Sequence, residues 1–537
     1  MPVPTSPRLR SPAIHPFSGF DVPRLLAHHA ATRPDHPFLI WEPFEGPSRV
    51  WTYAGFADEV ARVAAGLKAR GVKFGERVLI HLDNCPEALI AWYACAHLGA
   101  VAVTTNARSA ADELTYFAAH AGAVGAITQP RFAELVQSSC HDIKWLAITE
   151  TDNGAPAAQG HRPGKAESFA ALHGNPATVP MRAPDPMANV GIQYTSGTTS
   201  RPKGVVWTHA NALWGAKLCA MHETLTPEDV HLVYLPLFHT NAQSYSVLAT
   251  LWVGGTVVVQ PRFSASRFWE VSLRHRCTWT SMVPFCVRAL MGQEVPKAHH
   301  YRLWGNGIAS LPTDAHFRMR TMGWWGMTET ITHGIVSDPF VPAPPMTIGK
   351  PSPAYEIAII REDGLPAEAG DTGALLIRGI PGLSLFKEYL NNPEATASSY
   401  DEQGFFITGD RVTLLEDGYI RFADRDKDML KVGGENVAAS EIETVIMAVG
   451  GIQECAVVGR KDPMLDEVPV AFLLVPGGEA AAPGDLKERV MAACRKSLAD
   501  FKVPRDIRIV DALPRSTLEK IAKAELRNAL ESEDAGS

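Results

Sequence analysis

The chain has 537 residues, 46% apolar and 20% charged, which is ordinary for a globular protein and allows about three or four domains. A formal net charge of −8 gives no bulk attraction to nucleic acid or to an anionic membrane. No apolar run nears the ~18 residues that cross a bilayer, and residues 1–20 are rich in Pro, Ser and Arg with no apolar stretch, so neither a membrane span nor a secretory leader is expected.

Strand-like and helix-like segments alternate along the chain. Arg77–Leu82 reads as a buried strand, Pro86–Leu98 as an apolar-faced helix and Ala100–Thr104 as the next strand. Val124–Thr128 and Trp145–Thr149 are further short apolar runs, and the pattern predicts layered α/β sheets. Residues 152–188 are rich in Gly, Pro, Ala and Asn and read as surface loop; Pro339–Pro353 reads as a passage between subdomains. Beyond about residue 425 lies a compact βα pattern. It has helices over 439–449 and 485–498 and a strand over 468–475, a size that suits a separate domain. The predicted organisation is therefore residues 1–425 and 426–537. The eight cysteines are scattered without a Cys-x-x-Cys pair, which points to buried free thiols in a cytoplasmic protein, not a disulfide frame or a zinc site.

Five segments carry candidate chemistry. Residues 195–204, Thr-Ser-Gly-Thr-Thr-Ser-Arg-Pro-Lys-Gly, bring five hydroxyls, two glycines and two cations together. Hydroxyls and backbone N–H groups donate to phosphate oxygens, and Lys203 neutralises charge. The spacing is not that of a Walker loop. Gly323-Trp-Trp-Gly-Met-Thr-Glu-Thr330 places indoles, which stack on flat bases, before a hydroxyl and a carboxylate able to hold Mg²⁺. Gly404–Asp410 ends in Thr-Gly-Asp, and its carboxylate can accept two ribose hydroxyls. Asp424–Asn436 is a charge cluster followed by Gly433-Gly434. Pro514–Lys523 carries Lys520. Each segment alone also fits a surface loop, a turn or a solvated charge.

In this order and at these separations the five segments resemble the AMP-forming acyl-CoA synthetases of the adenylate-forming superfamily, from roughly residue 25 to 525. The resemblance implies a large N-terminal α/β domain with a small mobile α+β C-terminal domain. It implies two half-reactions: a carboxylate attacks the ATP α-phosphate to give an acyl-adenylate and pyrophosphate, then the thiol of coenzyme A displaces AMP. Carried over by position, Thr195, Ser196, Gly197, Thr198, Thr199 and Lys203 hold the β- and γ-phosphates. Thr328 contacts the α-phosphate, and Glu329 binds Mg²⁺. Trp325, with Gly326 and Met327, covers one face of adenine, and Gly307, Ile308 and Ala309 cover the other. Asp410 and Arg425 bind the ribose. Lys427 is the pivot; Lys431, Gly433 and Gly434 fall on the coenzyme A side. Lys520 bridges carboxylate and α-phosphate during adenylation. His239 stands at the mouth of the acyl pocket. Three positions depart from the pattern: Ser200 replaces glycine, Trp325 replaces tyrosine, and Glu519 replaces the glycine before Lys520.

The acid is less legible. Gly326 stands where acetate-type relatives carry a bulky residue, which implies a pocket that extends beyond acetate. His81–Glu87, the Ser200-Arg201 variant, Phe386–Tyr389 with Asn392-Pro393, Gly433–Val437 and Phe501–Pro504 look like carnitine/crotonobetaine-CoA ligases. Trp304, Trp324 or Tyr245 then offer a cation–π face to a quaternary ammonium. A medium-chain, aryl or alicyclic acid is the alternative. Charging of a carrier protein and a luciferase-like oxygenase are competing readings; only residues 521–537 follow Lys520, too few for an attached carrier. The expected partner is a small-molecule acid, and a homodimer is left open.

Overall fold

The computed structural model describes residues 15–157, 166–195, 202–425, 428–432, 435–462, 465–498, 500–515 and 521–535. The described residues fall into two compact units. One takes in the described residues within 1–195, 203–356 and 378–398, the other residue 202 and the described residues within 357–377 and 399–537.

The first unit holds two large sheets. In the eight-stranded one, Arg77–His81 lies parallel between Val101–Thr104 and Ala123–Thr128, with Leu146–Ile148 and Glu167–Ser168 continuing parallel beyond the latter. On the other side Asn189–Thr195 pairs parallel with Val101–Thr104. Lys203–Thr208 then turns back antiparallel and is edged by Glu388–Tyr389. In the nine-stranded sheet six strands run parallel: Pro37–Trp41, Thr256–Val259, Val230–Val233, Trp279–Ser281, Leu303–Asn306 and Thr321–Trp325. Short antiparallel strands close both edges: Arg49–Thr52 at one, Ile335–Val336 then Lys350–Pro351 at the other. Continuous apolar runs such as Thr256–Val259 are what a parallel strand buried on both faces requires. This is the layered α/β architecture expected from the sequence.

Pro86–Leu98 forms the helix read from the sequence. Pro86 supplies a preset φ at its first turn, and Gly99, at φ +83°, closes it in the left-handed region. Every residue from Pro86 to Ala96 is buried, so the helix lies wholly within the layers instead of presenting one apolar face. Residues 152–188, where described, hold only two- to four-residue strands and turns.

The second unit contains a four-stranded sheet (Glu356–Ile360, Thr372–Arg378, Phe406–Leu414, Ile420–Arg425) and a mixed sheet built on the hairpin of Glu454–Asp462 with Asp466–Leu474. Alternation along that hairpin produces two cores. Val457, Ala471 and Leu473 pack with the helices Ala439–Met447 and Leu486–Ser497, whereas Val458, Val470 and Phe472 pack with Leu526 and Leu530 of the helix Lys523–Ala535. The unit begins before residue 426. Residues 357–377 and 399–425 cluster with the later ones, and the Ser440 hydroxyl donates to the Ala423 carbonyl. All eight cysteines are buried and unbridged. Among the described residues no helix is long and apolar enough to cross a membrane.

Candidate active site

The candidate residues of the first unit gather beyond the carboxyl ends of parallel strands, where open α/β sheets bind their ligands. Val230–Val233 leads to His239 and Thr240, Leu303–Asn306 to Gly307, Ile308 and Ala309, and Thr321–Trp325 to Gly326, Met327, Thr328 and Glu329. The last two strands are in register, Asn306 opposite Gly323, so both following loops leave from one edge. Ala309 N–H donates to the Thr347 carbonyl at 2.7 Å, and Gly334 N–H to the Trp325 carbonyl at 3.0 Å, which fixes these loops against their neighbours. Trp325 itself is 6% exposed.

Across the hairpin Thr195 pairs with Lys203, so both ends of the hydroxyl-rich segment are anchored on adjacent strands. Ser196, Gly197, Thr198 and Thr199 lie outside the described residues. Lys203 Nζ stands 4.5 Å from the centre of the Tyr389 ring, and the Tyr389 hydroxyl donates to Glu329 Oε1 at 2.9 Å. Glu329 is 4% exposed, and its carbonyl accepts from Phe386 N–H at 2.8 Å. Trp207 Nε1 donates to the Thr328 carbonyl at 2.9 Å. The Thr240 hydroxyl lies 2.9 Å from Gln193 Oε1 and 3.2 Å from Thr328 Oγ1, and its single proton serves one of these acceptors at a time. The structure thus links Lys203 to Glu329 through Tyr389, and Thr328 to Gln193 through Thr240. Sequence reading did not place these three connecting residues in the site. Tyr389 lay in a quoted marker, and Thr240 directly follows His239, but nothing in the sequence tied either to Glu329 or Thr328.

His239 is half-buried, 4.3 Å ring to ring from Phe238. Tyr245 sits on a π-helical segment, Asn241–Leu248, and is 4% exposed. Its hydroxyl is held protonated by burial first, with Cys219, Tyr355 and Glu223 adding to the upward shift. Trp324 stacks on His333 at 4.3 Å and 13°, and Tyr245 meets the same imidazole edge-on at 4.3 Å.

Two expectations are corrected here. Trp304 is on the opposite face of the sheet from Trp324. Its register partner is Thr321, three residues before Trp324, so the pleat turns the two indoles apart. Trp304 is 1% exposed and packs against Trp269, Tyr301 and Phe317 at 5.8, 5.7 and 5.1 Å; it is core and lines no acid channel with Tyr245. Gly326 does not open space either. A Cβ there would collide with the Tyr245 hydroxyl and lie 2.6 Å from the Thr332 carbonyl. Gly326→Ala is therefore expected to lower stability by about 1–3 kcal/mol through overpacking, read by chemical denaturation. Tyr245→Phe in the same chain should recover part of the loss; a Gly326→Ala protein as stable as the parent would contradict this packing.

In the second unit Asp410 lies directly opposite Arg425 across an antiparallel pair, is 8% exposed, and takes its backbone turn from Thr408, whose Oγ1 accepts Asp410 N–H at 3.1 Å. The Arg425 and Lys431 side chains, and Lys427, Gly433, Gly434 and Lys520, lie outside what is described; the Lys431 backbone forms part of strand Met429–Val432.

A buried carboxylate, Glu329, thus lies within one phenol of Lys203 and next in sequence to the Thr328 hydroxyl. Two family models match the chain: AMP-binding enzyme over residues 26–390, and AMP-binding enzyme C-terminal domain over 441–520. The chain is 34% identical over 503 residues to the crotonobetaine/carnitine–CoA ligase of Proteus mirabilis, covering 91% of this chain and 95% of that one. It is similar to the o-succinylbenzoate coenzyme A synthetase of Bacillus subtilis in complex with ATP and magnesium ion (26% identity, TM-score 0.79, 94% and 99% covered). It is also similar to that enzyme bound to its acyl-adenylate intermediate (26%, TM-score 0.80, 94% and 97%). The chain belongs to the AMP-binding enzyme family. Its activity is ATP-dependent ligation of a carboxylic acid to coenzyme A, through an acyl-adenylate.

Proposed function

We propose that the described cluster around Glu329 forms the adenylation centre and that it activates an acid larger than acetate. The observation carrying the adenylation centre is the chain of contacts Lys203–Tyr389–Glu329, with Thr328 held beside it by Thr240; the size of the acid rests on the likeness to crotonobetaine/carnitine–CoA ligases. The chain of contacts gathers a cation, a carboxylate and a hydroxyl beyond the strand ends, the groups that nucleotidyl transfer at a phosphorus centre needs. The donor set fits magnesium: one nearly enclosed carboxylate, oriented by a phenol, is what an ion that keeps most of its water and takes its other oxygens from phosphates requires. Magnesium bound there screens phosphate charge. Of the protein groups, Lys203 and Thr195 hold the departing pyrophosphate, Thr328 orients the α-phosphate, Trp325 and Gly307–Ala309 enclose adenine, and Asp410 and Arg425 take the ribose. Residues 426–537 act as the mobile part that brings Lys520 in for adenylation and Lys431 with the Gly433-Gly434 pair in for thioester formation. The unbridged, buried cysteines support a cytoplasmic location.

For the acid we propose a betaine-type carboxylate entering past His239 toward Tyr245 and Trp324. Supporting this are the one-third identity to crotonobetaine/carnitine–CoA ligases over nearly the whole chain and the aromatic pair of Tyr245 and Trp324, 6.0 Å ring to ring. The test is AMP release with ATP, Mg²⁺ and coenzyme A across carnitine, γ-butyrobetaine, short and medium fatty acids and benzoates. Highest kcat/KM with a quaternary-ammonium acid is expected; a benzoate or fatty acid preferred over both betaines overturns the acid assignment while leaving the ligase activity intact.

A further inference from the structure

Behind Tyr245 and Trp324 lies a polar nest that the adenylation chemistry does not use. Cys219 and Glu223 are four residues apart, at the end of the helix His209–His222 and on its C-cap, so they share one face. His333 reaches them from the loop that follows Glu329. One donor atom from each lies within 4.8 Å of the others, and all three residues are completely buried. Neither carboxylate oxygen of Glu223 and neither ring nitrogen of His333 has a hydrogen-bond partner among the described residues. His231, equally buried, places Nδ1 4.0 Å from Glu223 Oε2 and is also unpartnered. Polar groups enclosed in this way normally have partners; a cluster of orphans converging on one point calls for a shared one.

We propose that Cys219, Glu223 and His333 form a metal-ion site of zinc type. The donor set of sulfur, carboxylate oxygen and imidazole nitrogen suits Zn²⁺ and disfavours Mg²⁺ or Ca²⁺, which take oxygen. Charge balances: one thiolate and one carboxylate against a divalent ion leave a neutral buried centre. Binding forms three coordinate bonds and releases the Cys219 thiol proton, and the Glu223 proton where that carboxyl is neutral, to solvent; no electron is transferred. The surroundings suit the outer sphere of such a centre. The Thr332 hydroxyl, 2.8 Å from Cys219 Sγ, donates to the thiolate, Trp324 stacked on His333 fixes the imidazole plane, and His231 stands behind the carboxylate. A trimethylammonium group is too wide for a donor triangle of this size, so the nest is an ion site and not the seat of an acid's cationic tail. The ion ties the 330–335 loop to the helix and so positions the loop that carries Glu329. The sequence did not announce it, because His333 joins the Cys219–Glu223 pair from more than a hundred residues further along the chain.

The test uses the full chain, purified without a polyhistidine tag and dialysed against metal-free buffer, with metal read by mass spectrometry. About one zinc-type ion per chain is expected, falling to below a tenth in each of Cys219→Ala, Glu223→Gln and His333→Ala. Since a variant can lose metal by losing its fold, cobalt(II) is loaded in parallel. The wild type and the Cys277→Ser control should show the thiolate-to-cobalt absorption band, and Cys219→Ser, with an unchanged circular dichroism spectrum, should not. Wild-type chain that is folded yet holds neither zinc nor cobalt overturns the proposal. So does a metal content indifferent to all three substitutions, or a metal-free parent in which those substitutions alter only which acids are activated.

Discussion

Lys520→Ala is expected to slow adenylate formation by about 10³–10⁵-fold, the scale of removing a cation that neutralises charge developing at a transferred phosphoryl group, while leaving most of the thioester half-reaction from supplied acyl-AMP. The asymmetry follows from the proposed division of labour. A lysine on the mobile part is present for one half-reaction and withdrawn for the next, so its loss raises only the first barrier. Single-turnover assays of the two halves check this, and equal loss in both would sink the assignment of Lys520 to adenylation alone. The neighbouring Glu519 adds a second readout. Glu519→Gly restores the residue the family pattern carries and, if the added carboxylate restrains the lysine, speeds adenylation without touching thioester formation.

Glu329→Gln should cost adenylation about 10²–10³-fold, as removal of one preorganised charge at such a centre does, and should raise the Mg²⁺ concentration needed for half-maximal rate. Tyr389→Phe is the diagnostic companion. Its hydroxyl touches Glu329 at 2.9 Å, and its ring lies under Lys203. The phenyl ring keeps the cation–π face while the hydroxyl is lost, so the expected effect is the smaller 10–100-fold typical of a residue orienting a metal-binding carboxylate. In the double variant the two losses should not add, because the phenol acts through the carboxylate. Full additivity in the cycle of rates would show that Tyr389 serves Lys203 and not Glu329.

How much of this was legible depended on whether the signal was local. Helix Pro86–Leu98 was readable because its limits are written in the chain, Pro86 at one end and Gly99 at the other. The alternation of strands and helices was readable for the same reason. The hairpin holding Lys203 was legible as a composition, and Glu329 as a carboxylate beside indoles. What joins them was not. Tyr389 comes from an edge strand more than 180 residues after Lys203 in the chain, placed only by its pairing with Val205. Trp304 shows the opposite failure. An indole near a candidate loop looked available, but which face it takes is set by the pleat and the register with Thr321, which a single strand does not disclose. At Gly326 the residue type was informative and the reason was not: a missing side chain can mean open space or a close neighbour, and here the Tyr245 hydroxyl and the Thr332 carbonyl are the neighbours.

The central claim is that this chain makes an acyl-adenylate before any thiol is involved. Exchange of labelled pyrophosphate into ATP, in Mg²⁺ and without coenzyme A, tests it most directly. The account predicts exchange that depends on the acid, is abolished in Glu329→Gln and Lys520→Ala, and needs no thiol. Acid-independent exchange, or thioester formation by a protein that exchanges no pyrophosphate with any acid it ligates, would contradict it.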